Sequence, residues 1–216
     1  MIVAIDGPSA SGKGTLARGL AKALGFAYLD SGSLYRAVAA KLLAAGFDPN
    51  DAAAAEQVAR AISPDDLERP DLRSEAVAQA ASRVAALPPV RAALLAFQRD
   101  FAKRPPGATG GAVLDGRDIG TVVCPEAEVK LFVTASAEER ARRRSKELIE
   151  KGESGIYARV LKEMRERDDR DTARSHAPLV AAADAVEIDT TDKDANAVLA
   201  IALAVVAEKR KSFRRD

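Results

Sequence analysis

The chain has 216 residues, of which 47% are hydrophobic and 30% are charged, values typical of one globular domain with small appended lobes. Its formal net charge is +1, which excludes an overall positive field for attracting nucleic acid or membranes. Cys124 is the single cysteine, so an intramolecular disulfide is excluded and a reducing compartment is indicated. We therefore expect a cytoplasmic protein without a nucleic-acid or membrane partner, and Cys124 is interpreted as a packing residue. We also expect a monomer.

Five short apolar segments lack polar alternation, which predicts strands buried on both faces. They cover residues 2–6, 27–29, 112–115, 129–134 and 185–188. Helical spacing predicts helices at about 13–24, 31–45, 50–62, 73–85, 88–103, 136–151, 155–173 and 194–212. Ser63 before Pro64 predicts a helix start, and residues 136–139 form a capping-box pattern. The alternation predicts an α/β fold, a three-layer arrangement with a five-stranded parallel sheet between helices.

Two helical stretches, residues 38–104 and 143–176, interrupt this alternation because neither returns a strand to the sheet. We interpret them as excursions from the core, and the single histidine, His176, as a hinge residue at the end of the second. The apolar run 197–207 is too short to span a bilayer and is interpreted as a core-packed helix with a basic end that includes Arg214 and Arg215.

The most informative segment follows the first predicted strand and leads into the first predicted helix. It reads Gly7, Pro8, Ser9, Ala10, Ser11, Gly12, Lys13, Gly14 and Thr15. A glycine-rich loop that ends in lysine between a strand and a helix predicts a phosphate-binding P-loop, in which main-chain amides and the lysine hold the phosphates. The ordinary alternative is a turn that binds nothing.

One position of this loop departs from the commonest form. Gly14 follows Lys13 where a metal-binding Ser or Thr usually stands, and the hydroxyl belongs to Thr15. We therefore expect Mg²⁺ to be held through phosphates and water, with no direct protein ligand. The variant resembles nucleoside monophosphate kinases more than GTPases or motor ATPases.

Polar residues follow two further strands, where ligands gather in open parallel sheets. Asp115 is interpreted as a carboxylate that orients metal-bound water, Arg117 as a phosphate ligand and Asp118 as an acceptor for an exocyclic amine. The alternative is a solvated turn with a local salt bridge. Ser31 and Arg36 follow the second strand, and taken alone they indicate only a capped helix start.

Three arginines, Arg167, Arg170 and Arg174, are spaced to share one helix face. They predict a mobile lid that closes over phosphates, and the alternative is a solvated helix with ion pairs. No Ser/His or Cys/His pair and no multi-histidine metal site stands out, so phosphoryl transfer fits the inventory. Because a phosphomonoester is already a dianion near neutral pH, the absence of a candidate base favours a nucleotide acceptor over an alcohol.

Taken together, the motifs resemble those of the bacterial cytidylate kinases over nearly the whole chain. The matching segments are 5–9, 29–32 with Tyr35 and Arg36, 78–86, 115–118 with 120–123, and 166–171. The resemblance implies a P-loop NTPase fold with a helical monophosphate-binding lobe and a short helical lid. It implies transfer from ATP, with Mg²⁺, to CMP or dCMP.

The resemblance also implies roles for individual residues. Lys13 and the loop amides hold the ATP phosphates, and Arg167 and Arg170 reach the transferring phosphate. The substrate residues are Ser31, Arg117 and Asp118 for cytosine, Arg36 and Arg73 for the CMP phosphate, and Asp171 and Arg174 for the ribose or phosphate. The implied division is core 1–37, monophosphate-binding lobe 38–86, core 87–142, lid 143–176 and core 177–216.

The chain departs from many bacterial relatives in one lobe. Residues 63–72 stand where those relatives carry a longer antiparallel insertion, so this chain resembles a short-insert form. The alternative functions are a P-loop kinase for UMP, AMP or shikimate, and a nucleotide-binding switch protein.

Overall fold

The computed structural model describes residues 1–174 and 177–212, so His176, Arg214 and Arg215 lie outside the described residues. Five strands form one sheet: β1 (Ile2–Asp6), β2 (Ala27–Asp30), β3 (Ala112–Gly116), β4 (Val129–Thr134) and β5 (Val186–Asp189). Their order is β2-β3-β1-β4-β5, and β1 pairs in parallel with both β3 and β4. The predicted five-stranded α/β fold is confirmed, with β5 beginning one residue later than expected.

Eight α-helices accompany the strands in the described chain. They are α1 (Lys13–Leu24), α2 (Ser31–Ala44), α3 (Ala52–Arg60), α4 (Glu75–Val84), α5 (Pro88–Lys103), α6 (Ala137–Glu150), α7 (Tyr157–Thr172) and α8 (Ala195–Ser212). Short 3-10 helices cover Pro64–Glu68, Pro70–Arg73 and Pro106–Ala108, and a π-helical turn covers Ile119–Val123. Most predicted helices are correct to within two residues at each end.

Local capping agrees with the prediction at Ser63 and differs from it at residues 136–139. Ser63 precedes a short 3-10 helix, and its N–H donates to Asp66 Oδ2 over 3.0 Å. Ser136 caps α6 by accepting from Glu139 N at 3.2 Å, but its own N–H donates to Thr191 Oγ1 instead of to Glu139. The predicted reciprocal capping box at 136–139 is therefore only half correct, because a loop hydroxyl takes the second donor.

The chain divides into two compact units. The first comprises Met1–Leu29 and the described residues from Pro105 onward, and contains the sheet. Its core packs apolar strand residues such as Val3 and Leu131 against Leu20 of α1 and Ala202 of α8. The C-terminal helix is thus a core helix, as predicted. Within the described chain, no single helix has the length and apolar character needed to cross a membrane, although the bent pair α4–α5 has both when taken together.

The second unit, Asp30–Arg104, carries α2 to α5 and the first two 3-10 helices, and it contains no strand beyond the last residue of β2. It has a separate apolar core, in which Leu34 and Val38 of α2 pack with Val84 of α4 and Leu94 of α5. Leu72 belongs to the same core. The finer five-part division by function stays a prediction.

Candidate active site

The loop that follows β1 adopts a conformation that side chains restrict. Gly7 has a φ of +151°, and a Cβ there would lie 2.1 Å from the carbonyl oxygen of Val133. Gly12, the residue before α1, has a φ of +87°. Lys13 begins α1, and its Nζ donates back across the loop to the carbonyl of Pro8 at 3.2 Å. The segment 7–13 is therefore a tight loop at a helix N-terminus, the geometry that holds an anion.

Asp115 lies beside this loop. A Cβ at Gly14 would stand 3.4 Å from Asp115 Oδ2, and the Tyr28 hydroxyl donates to Asp115 Oδ1 at 3.3 Å. A glycine at position 14 thus leaves room for the carboxylate next to the first turn of α1. Within the described ranges, no group of three or more His, Cys, Asp or Glu side chains is placed to hold a metal. Asp115 is 4% exposed, so its carboxylate is buried next to the loop.

Asp6, the last residue of β1, joins the loop to the segment that follows β3. Its carboxylate accepts from Ile119 N at 2.8 Å and from Gly120 N at 2.7 Å. Burial raises the pKa of Asp6 to about 6, although both main-chain hydrogen bonds work against this shift. The bonds fix the start of the π-helical turn, and Asp118, 4% exposed, immediately precedes it.

The structure brings Arg117, Asp171 and Arg174 together. Arg117 Nε donates to Asp171 Oδ2 at 2.9 Å, and Arg174 Nη2 donates to Asp171 Oδ1. Burial alone would raise the pKa of Asp171, but the positive charges of Arg117, Arg174 and Arg167 outweigh it and lower that pKa below its usual value. The loop after β3 and the end of α7 therefore form one charged cluster, with its carboxylate buried.

The arginines of α7 are placed differently from the sequence-based expectation. Arg167 and Arg170 lie on the helix, which ends at Thr172. Arg174 lies beyond that end, so the expectation that all three arginines share one helix face is wrong. The physical reason is local: Asp171 draws Arg174 into the cluster with Arg117, and Ala173 closes the last turn.

Three predicted substrate residues, Ser31, Arg36 and Arg73, belong to the second unit. Asp30 caps α2 by accepting from Ser33 N at 3.2 Å and also binds Arg36. Ser31, the first residue of α2, is buried. Arg73 is exposed and ends a 3-10 helix, whereas the sequence placed it inside the next α-helix. Ser74 caps α4 instead, and the preceding Leu72 packs into the core of the helical unit.

A cavity of about 240 Å³ adjoins the loop, and sequence reasoning missed it. Its lining includes Gly12, Thr15, Arg143, Thr190, Lys193 and Val198. Arg143 donates to Thr190 Oγ1 at 3.0 Å and to Thr190 O at 2.6 Å, and the Thr190 hydroxyl donates to Ser11 O at 2.9 Å. The sequence held only a weak signal, a polar residue following β5, the strand edge where ligands collect in parallel sheets.

Comparison with known proteins gives a consistent family assignment. The family model described as cytidylate kinase matches residues 3–208. A cytidylate kinase from Paramagnetospirillum magneticum is 65% identical over 209 residues, which cover 97% of this chain and 99% of the relative. A cytidylate kinase from Rhodospirillum rubrum is 57% identical, with coverage of 97% and 98%.

Solved structures show likeness in fold. A gluconokinase from Sinorhizobium meliloti 1021 superposes with a TM-score of 0.51 at 16% identity, over 98% of this chain and 94% of that chain. At this level of identity the likeness concerns the fold alone.

Proposed function

Because the chain belongs to the cytidylate kinase family, we propose that it transfers the terminal phosphoryl group of ATP to CMP or dCMP, giving ADP and CDP or dCDP. The observation that best supports this reaction is the buried cluster of Arg117, Asp171 and Arg174 beside Asp118. Guanidinium groups bind phosphate oxygens through paired N–H donors, so a cluster that holds two of them suits an anionic substrate. We place the protein in the cytoplasm as a monomer, without a nucleic-acid or membrane partner.

The donor phosphates bind in the loop Gly7–Thr15, where the amides at the start of α1 face them and Lys13 exchanges its contact with Pro8 O for phosphate oxygens. The donor base occupies the cavity lined by Arg143 and Thr190. Asp115 orients water next to the loop. Mg²⁺ bound with ATP would supply positive charge that offsets the negative charge of the phosphates.

The acceptor base is recognised by Ser31, Arg117 and Asp118. Cytosine offers an amino donor and a ring acceptor, which complement a carboxylate and a guanidinium. Uracil offers the reverse pattern and would leave buried polar groups unpaired, at a cost of about 1–3 kcal/mol each. Asp6 supports this selectivity by fixing the turn next to Asp118.

The remaining arginines neutralise the negative charge of the phosphate groups. Arg36 and Arg73 bind the acceptor phosphate, while Arg167 and Arg170 contact the group in transfer, and Asp171 and Arg174 contact the ribose or phosphate as the lid closes. No general base is needed, because the acceptor phosphate is already ionised at neutral pH. Catalysis then rests on alignment and on fixed positive charge.

A panel of acceptors tests the proposal. ADP release is measured with ATP and either CMP, dCMP, UMP, AMP or shikimate, alongside a blank without acceptor. We expect turnover with CMP and dCMP at least ~10-fold above the other acceptors in kcat/KM. Comparable rates on UMP and CMP would refute the assignment of the base-reading residues, and acceptor-independent hydrolysis would indicate a nucleotide switch.

A further inference from the structure

Arg140, near the start of α6, connects three parts of the first unit with one guanidinium group. Its Nε donates to Ala135 O at 3.0 Å, its Nη1 to Ser9 O at 3.3 Å, and its Nη2 to Asp168 Oδ2 at 2.6 Å. The side chain is only 7% exposed. Arg140 therefore links the end of β4, the phosphate loop and helix α7, and no substrate-binding role accounts for it.

A second, independent contact joins the same partners. Ala10 of the phosphate loop packs against an apolar cluster formed by Ala141 and Leu148 of α6 and Val160 and Met164 of α7. Ala10 has a φ of +57°, a left-handed conformation that costs a non-glycine residue about 1–2 kcal/mol. Such a conformation persists where the surroundings enforce it. Two consecutive loop residues thus rest on the α6–α7 pair, Ser9 through its carbonyl and Ala10 through its methyl group.

Asp168 connects Arg140 to the part of α7 that carries Arg167 and Arg170. It lies on α7 directly after Arg167 and two residues before Arg170. Any shift of α7 that moves Asp168 away from Arg140 also moves those two arginines. The ion pair is largely buried, with exposures of 7% and 23%, so loss of one partner leaves the other charge poorly compensated.

We propose that Arg140 and Asp168 form a positioning pair that holds α7 in register with the phosphate loop, so that donor binding in the loop is coupled to the placement of Arg167 and Arg170. The inference deepens the proposed kinase function and rests on it. Both act through α7, Asp168 as a residue of that helix and Arg140 through its hydrogen bond to Asp168.

The structure provides a matched control pair on the same two helices. Arg165 of α7 binds Glu138 of α6 at 3.0 Å, with exposures of 59% and 53%. Exposed ion pairs of this kind contribute little to the free energy of unfolding. The control therefore separates a general effect of bridging α6 and α7 from the specific effect of bridging them to the loop.

A double-mutant cycle tests the proposal. Asp168→Asn, Arg140→Met and the double variant are compared in kcat, in KM for ATP and CMP, and in thermal unfolding, next to Glu138→Gln, Arg165→Met and their double. We expect each Arg140 or Asp168 single variant to lose at least ~10-fold in kcat, the double to lose no more than ~2-fold beyond the worse single, and KM for CMP to change less than ~3-fold. The control variants should stay within ~2-fold.

Additive losses in kcat, or folded variants with unchanged kcat, would overturn the proposal. If Arg140→Met does not fold, Arg140→Lys replaces it in the cycle, since it retains a charge for Asp168 but cannot make all three hydrogen bonds. Hydrogen exchange of α7 amides provides a readout that needs no acceptor. ATP alone should slow exchange in α7 of the unmodified protein and of Glu138→Gln, but not of Asp168→Asn. Failure of the unmodified protein to turn over CMP would count against the proposed function instead.

Discussion

Arg117 Nε donates to Asp171 Oδ2 over 2.9 Å, although 54 positions separate the two residues in the chain. Asp171 is 2% exposed and also binds Arg174, itself 7% exposed. One carboxylate thus compensates two largely buried guanidinium groups. The end of α7 and the loop after β3 depend on it together.

Replacement of Asp171 by asparagine should therefore destabilise the protein. We expect Asp171→Asn to lower the free energy of unfolding by about 3 kcal/mol, because it removes the buried carboxylate that pairs with both Arg117 and Arg174. Urea denaturation at pH 7 measures the effect. Asp71→Asn is the matched control, since its pair with Arg69 is 44% exposed on the carboxylate side and should contribute under ~1 kcal/mol. Equal losses of unfolding free energy in both variants would contradict the idea that burial makes the Asp171 ion pairs more stabilising than an exposed pair.

Lys13 is expected to act in transfer and not in acceptor binding. Lys13→Ala should lower kcat by at least ~100-fold while the dissociation constant for CMP changes less than ~3-fold, because the lost charge faces the donor phosphates. ADP-release kinetics and calorimetric titration with CMP measure the two effects. Lys22→Ala, on the last turn of the same helix, is the control and should behave like the unmodified protein. Near-normal turnover of Lys13→Ala would show that the loop does not hold the transferred phosphate.

Asp118 is expected to govern the choice of base. Asp118→Ala should reduce the CMP-to-UMP ratio of kcat/KM by at least ~10-fold, since the buried acceptor for the cytosine amino group is removed. The measurement is the ratio for each variant at saturating ATP. Asp65→Ala, an exposed carboxylate in a short 3-10 helix, should leave the ratio unchanged. An unaltered ratio in Asp118→Ala would assign base recognition to other residues.

Asp6 gives the stability a defined pH dependence. Burial raises the pKa of Asp6 to about 6 in the folded protein, against the ordinary value of 3.8 for an aspartate in the unfolded chain. Between these values the folded state binds a proton that the unfolded state lacks, so the contribution of Asp6 to stability is full below pH 3.8 and is lost as pH rises through 6. From pH 4.5 to 7.5, the free energy of unfolding should fall by about 2 kcal/mol relative to Asp6→Asn.

Urea denaturation of both proteins across this range measures that difference, and the subtraction cancels the titration of other groups. Asp171 does not interfere, because its pKa is lowered in the folded protein and an aspartate of ordinary pKa in the unfolded chain is also ionised over most of this range. A difference that is constant with pH would show that Asp6 does not titrate here.

Two glycines of the first 20 residues should respond oppositely to alanine. Gly7→Ala places a Cβ 2.1 Å from Val133 O at a φ of +151°, so we expect loss of ATP binding and of at least ~2 kcal/mol of stability. Gly19→Ala lies inside α1, where its Cβ would meet Leu199 methyl groups at 3.5 and 3.6 Å. This is ordinary contact, so higher helix propensity should add about 0.5–1 kcal/mol. Thermal unfolding and ATP titration of both variants check the contrast.

The sequence predicted those parts of the protein whose determinants are local. The phosphate loop and α1 were recognisable because glycines, Lys13 and helical spacing lie within about 20 residues of one another. The order of strands and helices was readable for the same reason. Arg174 was misplaced because α7 ends at Thr172 and an ion pair with Asp171, not helix periodicity, decides the position of Arg174.

The long-range contacts that position the residues of the candidate site could not be predicted from the sequence. Arg140 and Arg143 stand in a run of charges that is typical of a solvated helix, yet they bind the loop residue Ser9 and the β5-edge residue Thr190. Asp6 reads as the polar end of a strand, and nothing local shows that its partners are the amides of residues 119 and 120. Each of these contacts spans more than 45 positions, and no pairing rule in a single sequence specifies it.

The position of β1 at the centre of the sheet has a consequence for how the nascent chain folds. β1 is made first, but both of its neighbours, β3 and β4, begin more than 100 residues later. Both edges of β1 are unpaired until β3 has left the ribosome, and the β4 edge stays unpaired until residue 134 has followed. Until then the loop at Gly7 also lacks its close neighbour, the carbonyl of Val133. The helical unit Asp30–Arg104 has its own core and low sequence separation among its contacts, so we expect it to form during this interval. The loop that follows β1 is then synthesised before either neighbour of β1, and we expect it to be among the last segments to become ordered.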